Sequence, residues 1–311
     1  MASATATLLL PARDSFGGQR LTVDVAKALG RADRDTVSVD QRSRAFDILP
    51  RGWPVAAVTR QRDAGDAAPS GWLRADPAYI RPDINGARLL AYGEALALTH
   101  QEVDDLLRPL RPLFGDTGFP VDAPTPSRWY LRLPREARLP TFNGPDDALG
   151  ADLFEHLPDG PDGRRWRALL SEAQVVLHNH PVNARRVEAG KPPVNSLWFW
   201  GASTLPDHVT TSYTAIFSDD DAFQAFAATA KAHTAPLPPR WVAGGENCLF
   251  DLRRSRDLTP LQSQWIEPLL RDLRDGAVDT VVLDFADGAR FTLRTNQRWR
   301  FWRRPLRSIA A

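Results

Sequence analysis

Apolar positions along the chain follow two periods, and each predicts an element. Residues 5–10, TATLLL, read as a first strand, and Val23 to Leu29 carry a helical spacing that ends near Gly30, so the chain opens as an α/β fold does. Between Gln61 and Gly71 the sequence QRDAGDAAPSG is small and polar, which marks a surface loop or a segment boundary. Thr99 and Glu102 form a capping box ahead of Val103, Leu106, Leu107 and Leu110, predicting a helix with that face buried. Trp129–Leu133 reads as a strand, whereas 134–163 is rich in proline, glycine and acids and reads mostly as loop. Trp166, Leu169, Leu170, Ala173, Val176 and Leu177 then form one helical stripe that must stop close to Pro181. A second short helix is predicted from Pro181, with His180 at its cap and Gly190 just past its end, so two helices meet at a corner.

In the last third, Ser218 and Asp219–Asp221 precede the stripe Phe223, Phe226, Ala227 and Ala230. Thr259, Pro260 and Gln262 open a helix carrying Leu261, Trp265, Leu269 and Leu273, closed by Gly276. Residues 280–285 and 289–294 alternate about the turn Ala286-Asp287-Gly288, a hairpin signal. Gln297–Trp302 is then expected as a third antiparallel strand, with Trp299 and Phe301 buried and Arg298 and Arg300 facing water.

Composition narrows the class. A length of 311 residues at roughly 150 per domain suggests about two domains. The 39 basic and 38 acidic side chains leave a formal charge of +1, so no uniform field advertises a polyanion. The single cysteine, Cys248, excludes an intramolecular disulfide and cysteine-rich metal sites, which points to a reducing compartment. The opening residues lack a basic n-region, and no stretch approaches the eighteen or so apolar residues of a membrane span; a soluble, cytoplasmic chain with no membrane partner is expected. Only Lys27, Lys191 and Lys231 are lysines, so the abundance of arginine reflects coding composition before it reflects chemistry.

The candidates for chemistry are few. His178 and His180 flank Asn179, but on a helix they stand about 200° apart, and His100, His156, His208 and His233 show no ligand spacing; a helix end with capping histidines is preferred to a metal site. Asn183, Arg186 and Asn195 supply fixed polar groups near the corner. They can meet a phosphate or carboxylate, or they can cap and staple loops. Residues 291–307 hold Arg294, Arg298, Arg300, Arg303, Arg304 and Arg307 with no acid, among Trp299, Phe301 and Trp302. Such a surface can hold nucleic acid or dock an acidic protein, but a charge-guarded edge strand accounts for the alternation, and nucleic acid is not expected. Phosphate loops, nucleophile elbows, HExxH pairs and dinucleotide fingerprints do not occur.

The run from His180-Pro181-Val182-Asn183 through Arg186, Gly190 and Pro193-Val194-Asn195 to Trp198-Phe199-Trp200-Gly201 resembles a motif of archaeal-type cofactor-independent phosphoglycerate mutases. The likeness extends to Leu153–Pro158, the helix over 166–177 and loosely the helix at Thr99, about a third of the chain. The whole chain, including Asp76-Pro77, Arg81-Pro82-Asp83 and 299–304, resembles bacterial regulatory proteins of the Rpf (regulation of pathogenicity factors) E type. The resemblance implies an α/β fold with a reduced alkaline-phosphatase-like core and an inserted α+β domain. Residues 1–95 and 206–311 would form the core and 96–205 the insert.

In the mutases it further implies a phosphorylated serine and two divalent metals on aspartates and histidines. Here Asp14-Ser15 is the one candidate for the metal-binding turn, and its neighbours do not match; Asp207-His208 follows the insert too closely, and beyond Gly201 only His208 and His233 remain. The expectation is a non-catalytic regulatory or ligand-binding relative, with no metal cofactor. His180, Asn183, Arg186 and Asn195 would form a structural corner or a clamp for a small anionic ligand, converging near Trp198 and Trp200, and the partner would be that ligand or a regulatory protein. The alternative is an active phosphoryl-transfer enzyme with two Mn or Mg ions.

Overall fold

Strand β1 (Thr5–Leu10) is buried along nearly its whole length, Thr7 included, as a strand at the centre of a parallel sheet covered on both faces is. The computed structural model describes residues 4–83 and 86–310. After β1 come α1 (Val23–Arg31), β2 (Asp33–Thr36), α2 (Gln41–Ala45) and β3 (Asp47–Leu49). Next follow α3 (Val55–Ala64), β4 (Gly71–Asp83), β5 (Gly86–Tyr92), α4 (His100–Asp116), β6 (Val121–Thr125), β7 (Arg128–Leu133), α5 (Pro145–Ala148), α6 (Gly160–His178), α7 (Pro181–Glu188) and β8 (Ser196–Ser203). The chain ends with β9 (His208–Thr210), β10 (Ala215–Phe217), α8 (Asp221–Thr229), β11 (His233–Ala235), β12 (Asn247–Asp251), α9 (Leu258–Pro260), α10 (Glu267–Asp275), β13 (Thr280–Phe285) and β14 (Ala289–Arg294). Among the described residues no helix is long and apolar enough to cross a membrane.

Two compact units result: Met1–Gly52 with Asp207–Ala311, and Trp53–Pro206. The boundary expected at residue 96 lies inside the second unit. Strand β4 explains this, because it pairs with β5, β7 and β8 and so binds residues 71–92 to the elements that follow. The polar stretch from Gln61 is likewise internal: α3 runs to Ala64, Gly65 ends it in the left-handed conformation, and the loop leads into β4.

The first unit carries a seven-stranded sheet in the order β11-β10-β12-β1-β13-β14-β2. Strands β11 to β13 in that order are parallel, and β14 and β2 add antiparallel pairs. One face packs Leu8, Leu10, Phe250, Leu283 and Phe285 against Val25 and Leu29 of α1 and Leu269 and Leu273 of α10. The helix expected to open at Thr259 is capped by Asp257 and widens to a π-helical stretch over Leu261–Ile266 before α10.

The third antiparallel strand is not the one expected. β2, a polar DRDT segment, takes the outer edge of β14. Residues Thr295–Trp299 instead turn as a 3₁₀ helix, because Gln297 is buried and bonds the Arg294 amide, the Thr292 carbonyl and Asp33. Trp299 and Phe301, expected to be buried, are 65% and 79% exposed.

In the second unit the α4 face carrying Val103, Leu106, Leu107 and Leu110 and the α6 stripe of Trp166, Leu169, Leu170, Ala173 and Leu177 are buried against the sheet, as their spacing predicts. Trp166 meets Phe119, Phe142 and Phe199 in edge or tilted geometry. Gly201 ends the bulky run of β8 at φ +68°, with Val55 of α3 so close that a Cβ would sit 3.1 Å from its Cβ.

Candidate functional site

The parallel strands of the first unit all end at one edge, which is where open α/β sheets place their ligands. Acids gather there. Asp251 at the end of β12 and Asp284 near the end of β13 are both in register with Leu9, one on each side of β1. Asp220 follows β10, and Asp287 lies in the β13–β14 turn.

Each of these acids faces an arginine. Arg44 on α2 grips Asp284 through both Nε and Nη2, the first at 3.0 Å, while the Gln41 amide bonds the Asp284 and Leu10 carbonyls. Arg253 donates to both oxygens of Asp251 at 2.7 and 2.6 Å and reaches Asp220 at 3.1 Å; Ser218 Oγ adds a bond to Asp251 at 2.7 Å. The guanidinium also lies over the Phe223 ring, 4.2 Å from its centroid. Arg13 pairs with Asp287 at 2.6 Å. Burial pushes the Asp251 carboxyl up, but Arg253 and Ser218 outweigh it and hold the group below its ordinary value. For Asp220 burial wins, and its carboxyl is raised. Burial lowers Arg253, yet Asp251 and Asp220 carry its net shift upward.

This donor set does not fit the two divalent metals that the resemblance implies. Asp251 and Asp284 lie on strands two apart, with backbones roughly 10 Å from each other, and each carboxylate is turned to its own arginine rather than to a shared centre. A cation at either carboxylate would have to displace a bidentate guanidinium. The imidazoles of this unit take other places: His233 opens β11 at the opposite, amino edge of the sheet, and His208 pairs with Leu49 in the β3–β9 ribbon. Asp14 and Ser15 lie in an exposed 3₁₀ turn. Among the described residues no group of three or more His, Cys, Asp or Glu side chains could hold a metal ion.

The residues expected as a clamp lie in the second unit, at the corner between α6 and α7. His180 caps α7, its Nδ1 accepting from the Val182 amide at 3.3 Å, and burial lowers its pKa. Asn183 donates to the Leu177 and Val194 carbonyls and accepts from the Val194 amide. Arg186, 1% exposed, donates to the Pro192 and Leu96 carbonyls and pairs with Glu102 at 2.9 Å. Asn195 turns the other way and exchanges two bonds with the backbone of Ile80 in β4, at 2.8 and 2.7 Å. The structure thus brings His180, Asn183 and Arg186 to one corner, directs Asn195 to β4, and engages all four with protein atoms.

A buried charge pair in this unit has no local signal in the sequence. Arg74 and Asp76, side chains 3% and 0% exposed, meet through two bonds of 2.8 Å, and the Trp200 indole donates to the same carboxylate at 2.7 Å. Beside them Tyr130 and Arg128 both bond Asp63.

No protein-family model matches the chain. A stretch of 62 residues is 45% identical to a probable 2,3-bisphosphoglycerate-independent phosphoglycerate mutase of Geobacter sulfurreducens, covering 20% of this chain and 16% of that protein. A stretch of the same length is 44% identical to the 2,3-bisphosphoglycerate-independent phosphoglycerate mutase of Methanosarcina barkeri, with the same coverage. The chain thus matches only about a sixth of these curated relatives' length. Among solved structures, the cofactor-independent phosphoglycerate mutase from Thermoplasma acidophilum aligns at a TM-score of 0.41 and 16% identity over 94% of this chain and 90% of that one. The PH0037 protein from Pyrococcus horikoshii aligns at 0.47 and 12% identity over 100% and 92%. Over the segment matched in sequence, the chain is related to cofactor-independent phosphoglycerate mutases.

Proposed function

We propose that this chain is a non-catalytic, regulatory relative of the cofactor-independent phosphoglycerate mutases, with an alkaline-phosphatase-like core in which arginine–carboxylate pairs stand where metal chemistry would be. The observation that carries this reading is the closure of Asp284 by Arg44 and of Asp251 by Arg253, on either side of β1. A carboxylate already paired and desolvated is a poor ligand, because a metal must replace two charge-assisted bonds before it gains any. In this reading the His180–Asn195 motif persists as a structural corner, since Arg186 fastens α7 to α4 and Asn195 fastens the start of β8 to β4. The regulatory assignment follows the resemblance of the whole chain to the Rpf E type. The test is an assay of phosphoglycerate mutase and phosphatase turnover with added manganese or magnesium. No turnover above background is expected, and turnover abolished by Ser15→Ala would overturn the reading.

A further inference from the structure

The largest exposed aromatic cluster among the described residues lies in the first unit. Trp299, Phe301 and Trp302 are 65%, 79% and 68% exposed, although their segment is fastened on both sides. Arg300 bonds Asp33 and the Arg31 carbonyl, Arg303 bonds the Ala32 carbonyl, and the Leu306 amide bonds Ala26. Leu306 and Ile309 are buried beyond it. At Gly30 the fit to α1 is so close that a Cβ would lie 2.3 Å from the Arg304 carbonyl. Three large rings on an anchored segment are not a frayed tail, and apolar surface of this kind marks an interaction site.

The same segment borders a groove of about 440 Å³ between α1, α10 and the end of β14, which Arg298 helps to line. Its floor is apolar, with Ala28, Leu270, Leu273 and Leu293. Lys27, Arg31, Arg271, Arg274, Arg294 and Arg298 line it against only Asp24 and Glu267. Arg294 is paired with Asp33, which leaves five cations over two acids, and in a chain with a net charge of +1 that concentrates positive potential here. Lys27, Arg31 and Arg271 have no side-chain partner among the described residues.

We propose that this groove and the adjoining Trp299–Trp302 rings dock an acidic, amphipathic segment of a partner protein. Its carboxylates would pair with the guanidinium rim and its apolar side chains would fill the leucine floor and pack on the rings. Trp and Arg are the side chains that most often dominate such interfaces. A nucleic-acid strand fits less well, because Arg294 and Arg300 are spent on Asp33 and Arg303 on a carbonyl, and a leucine floor offers nothing to a phosphate backbone. This surface stands independently of the sheet edge and of the non-catalytic reading.

The experiment is fluorescence anisotropy on the full chain with a labelled peptide in which Asp and Glu alternate with Leu and Trp. A counterpart with lysine for every acid and a short oligothymidylate serve as competing probes. The acidic peptide should bind at least about tenfold more tightly than the lysine peptide and weaken as salt is raised. The Trp299→Ala/Trp302→Ala variant and the Arg271→Glu variant should each weaken it about tenfold or more, whereas Arg135→Glu, the same charge change on the second unit, should not. Equal binding of the two peptides, or indifference to both groove variants, overturns the proposal. Tighter binding of oligothymidylate overturns it in favour of nucleic acid, and self-association abolished by the tryptophan variant overturns it in favour of a second copy of the chain.

Discussion

Asp76→Asn removes one charge from a pair that the second unit has sealed from water. In the native chain Asp76 accepts both bonds of the Arg74 fork and the Trp200 indole N–H, and its side chain has no exposure. The amide keeps the shape and loses the charge, leaving a guanidinium in a low-dielectric interior with its main counter-ion gone. Breaking a buried pair from one side typically costs about 3–5 kcal/mol, much of it the burial of the survivor. Removing both charges in Arg74→Met/Asp76→Leu should cost less than the single change, since no charge is then left buried without its counter-ion; the indole left without its acceptor contributes about 1–3 kcal/mol. Urea unfolding of the full chain gives the free energies, and hydrogen exchange of β4 amides assigns the effect to the unit that holds them. A single-variant cost under about 1 kcal/mol, or a double-variant cost equal to the sum of Asp76→Asn and Arg74→Met, would refute the reasoning.

Three further outcomes are expected. The native state favours neutral His180, whose pKa lies below the ordinary 6.5; the second unit should therefore hold its full stability above pH 6.5 and lose some on acidification through it, and His180→Asn, a cap that does not titrate, should remove that dependence in pH-resolved thermal melts. Asp251, held low against the pull of burial, contributes stability that is present above its ordinary value of 3.8 and fades as pH falls below it; Arg253→Met should move acid unfolding of the first unit to higher pH by circular dichroism. Gly30→Ala should dislodge residues 300–306, because the new methyl collides with a backbone carbonyl rather than a flexible side chain, and faster hydrogen exchange at the Leu306 amide would show it.

Local signals were legible where one element decides its own structure. The Thr99–Glu102 capping box, the His180 cap with Pro181 behind it, Gly190 and Gly276 past their helices, and the hairpin about Gly288 all act over a few residues. What escaped depends on partners far away in sequence. Nothing in DRDT suggests a strand; β2 forms because β14 offers an unpaired edge, and once it does, residues 297–302 cannot take that place. Hence the alternation of Trp299 and Phe301 with arginines, which predicts a buried face, presents an exposed one. The corner motif could be read as ligand clamp or as staple, and only the positions of Ile80, Leu96 and Glu102 show what its polar atoms meet. Arg74 and Asp76, at i and i+2, share a strand face, but their burial is set by β8, more than a hundred residues on. The Arg44–Asp284 and Arg253–Asp251 pairs have no motif at all, because only the sheet order brings β12 and β13 to flank β1.

The most direct test of the sheet-edge account is a titration of manganese(II) into the purified chain, with the free ion followed by electron paramagnetic resonance. If guanidiniums occupy the carboxylates, the free-ion signal should rise from the first addition as it does in buffer. Stoichiometric loss of that signal, restored by Asp284→Ala or Asp251→Ala, would contradict the account and return the edge of the sheet to metal chemistry.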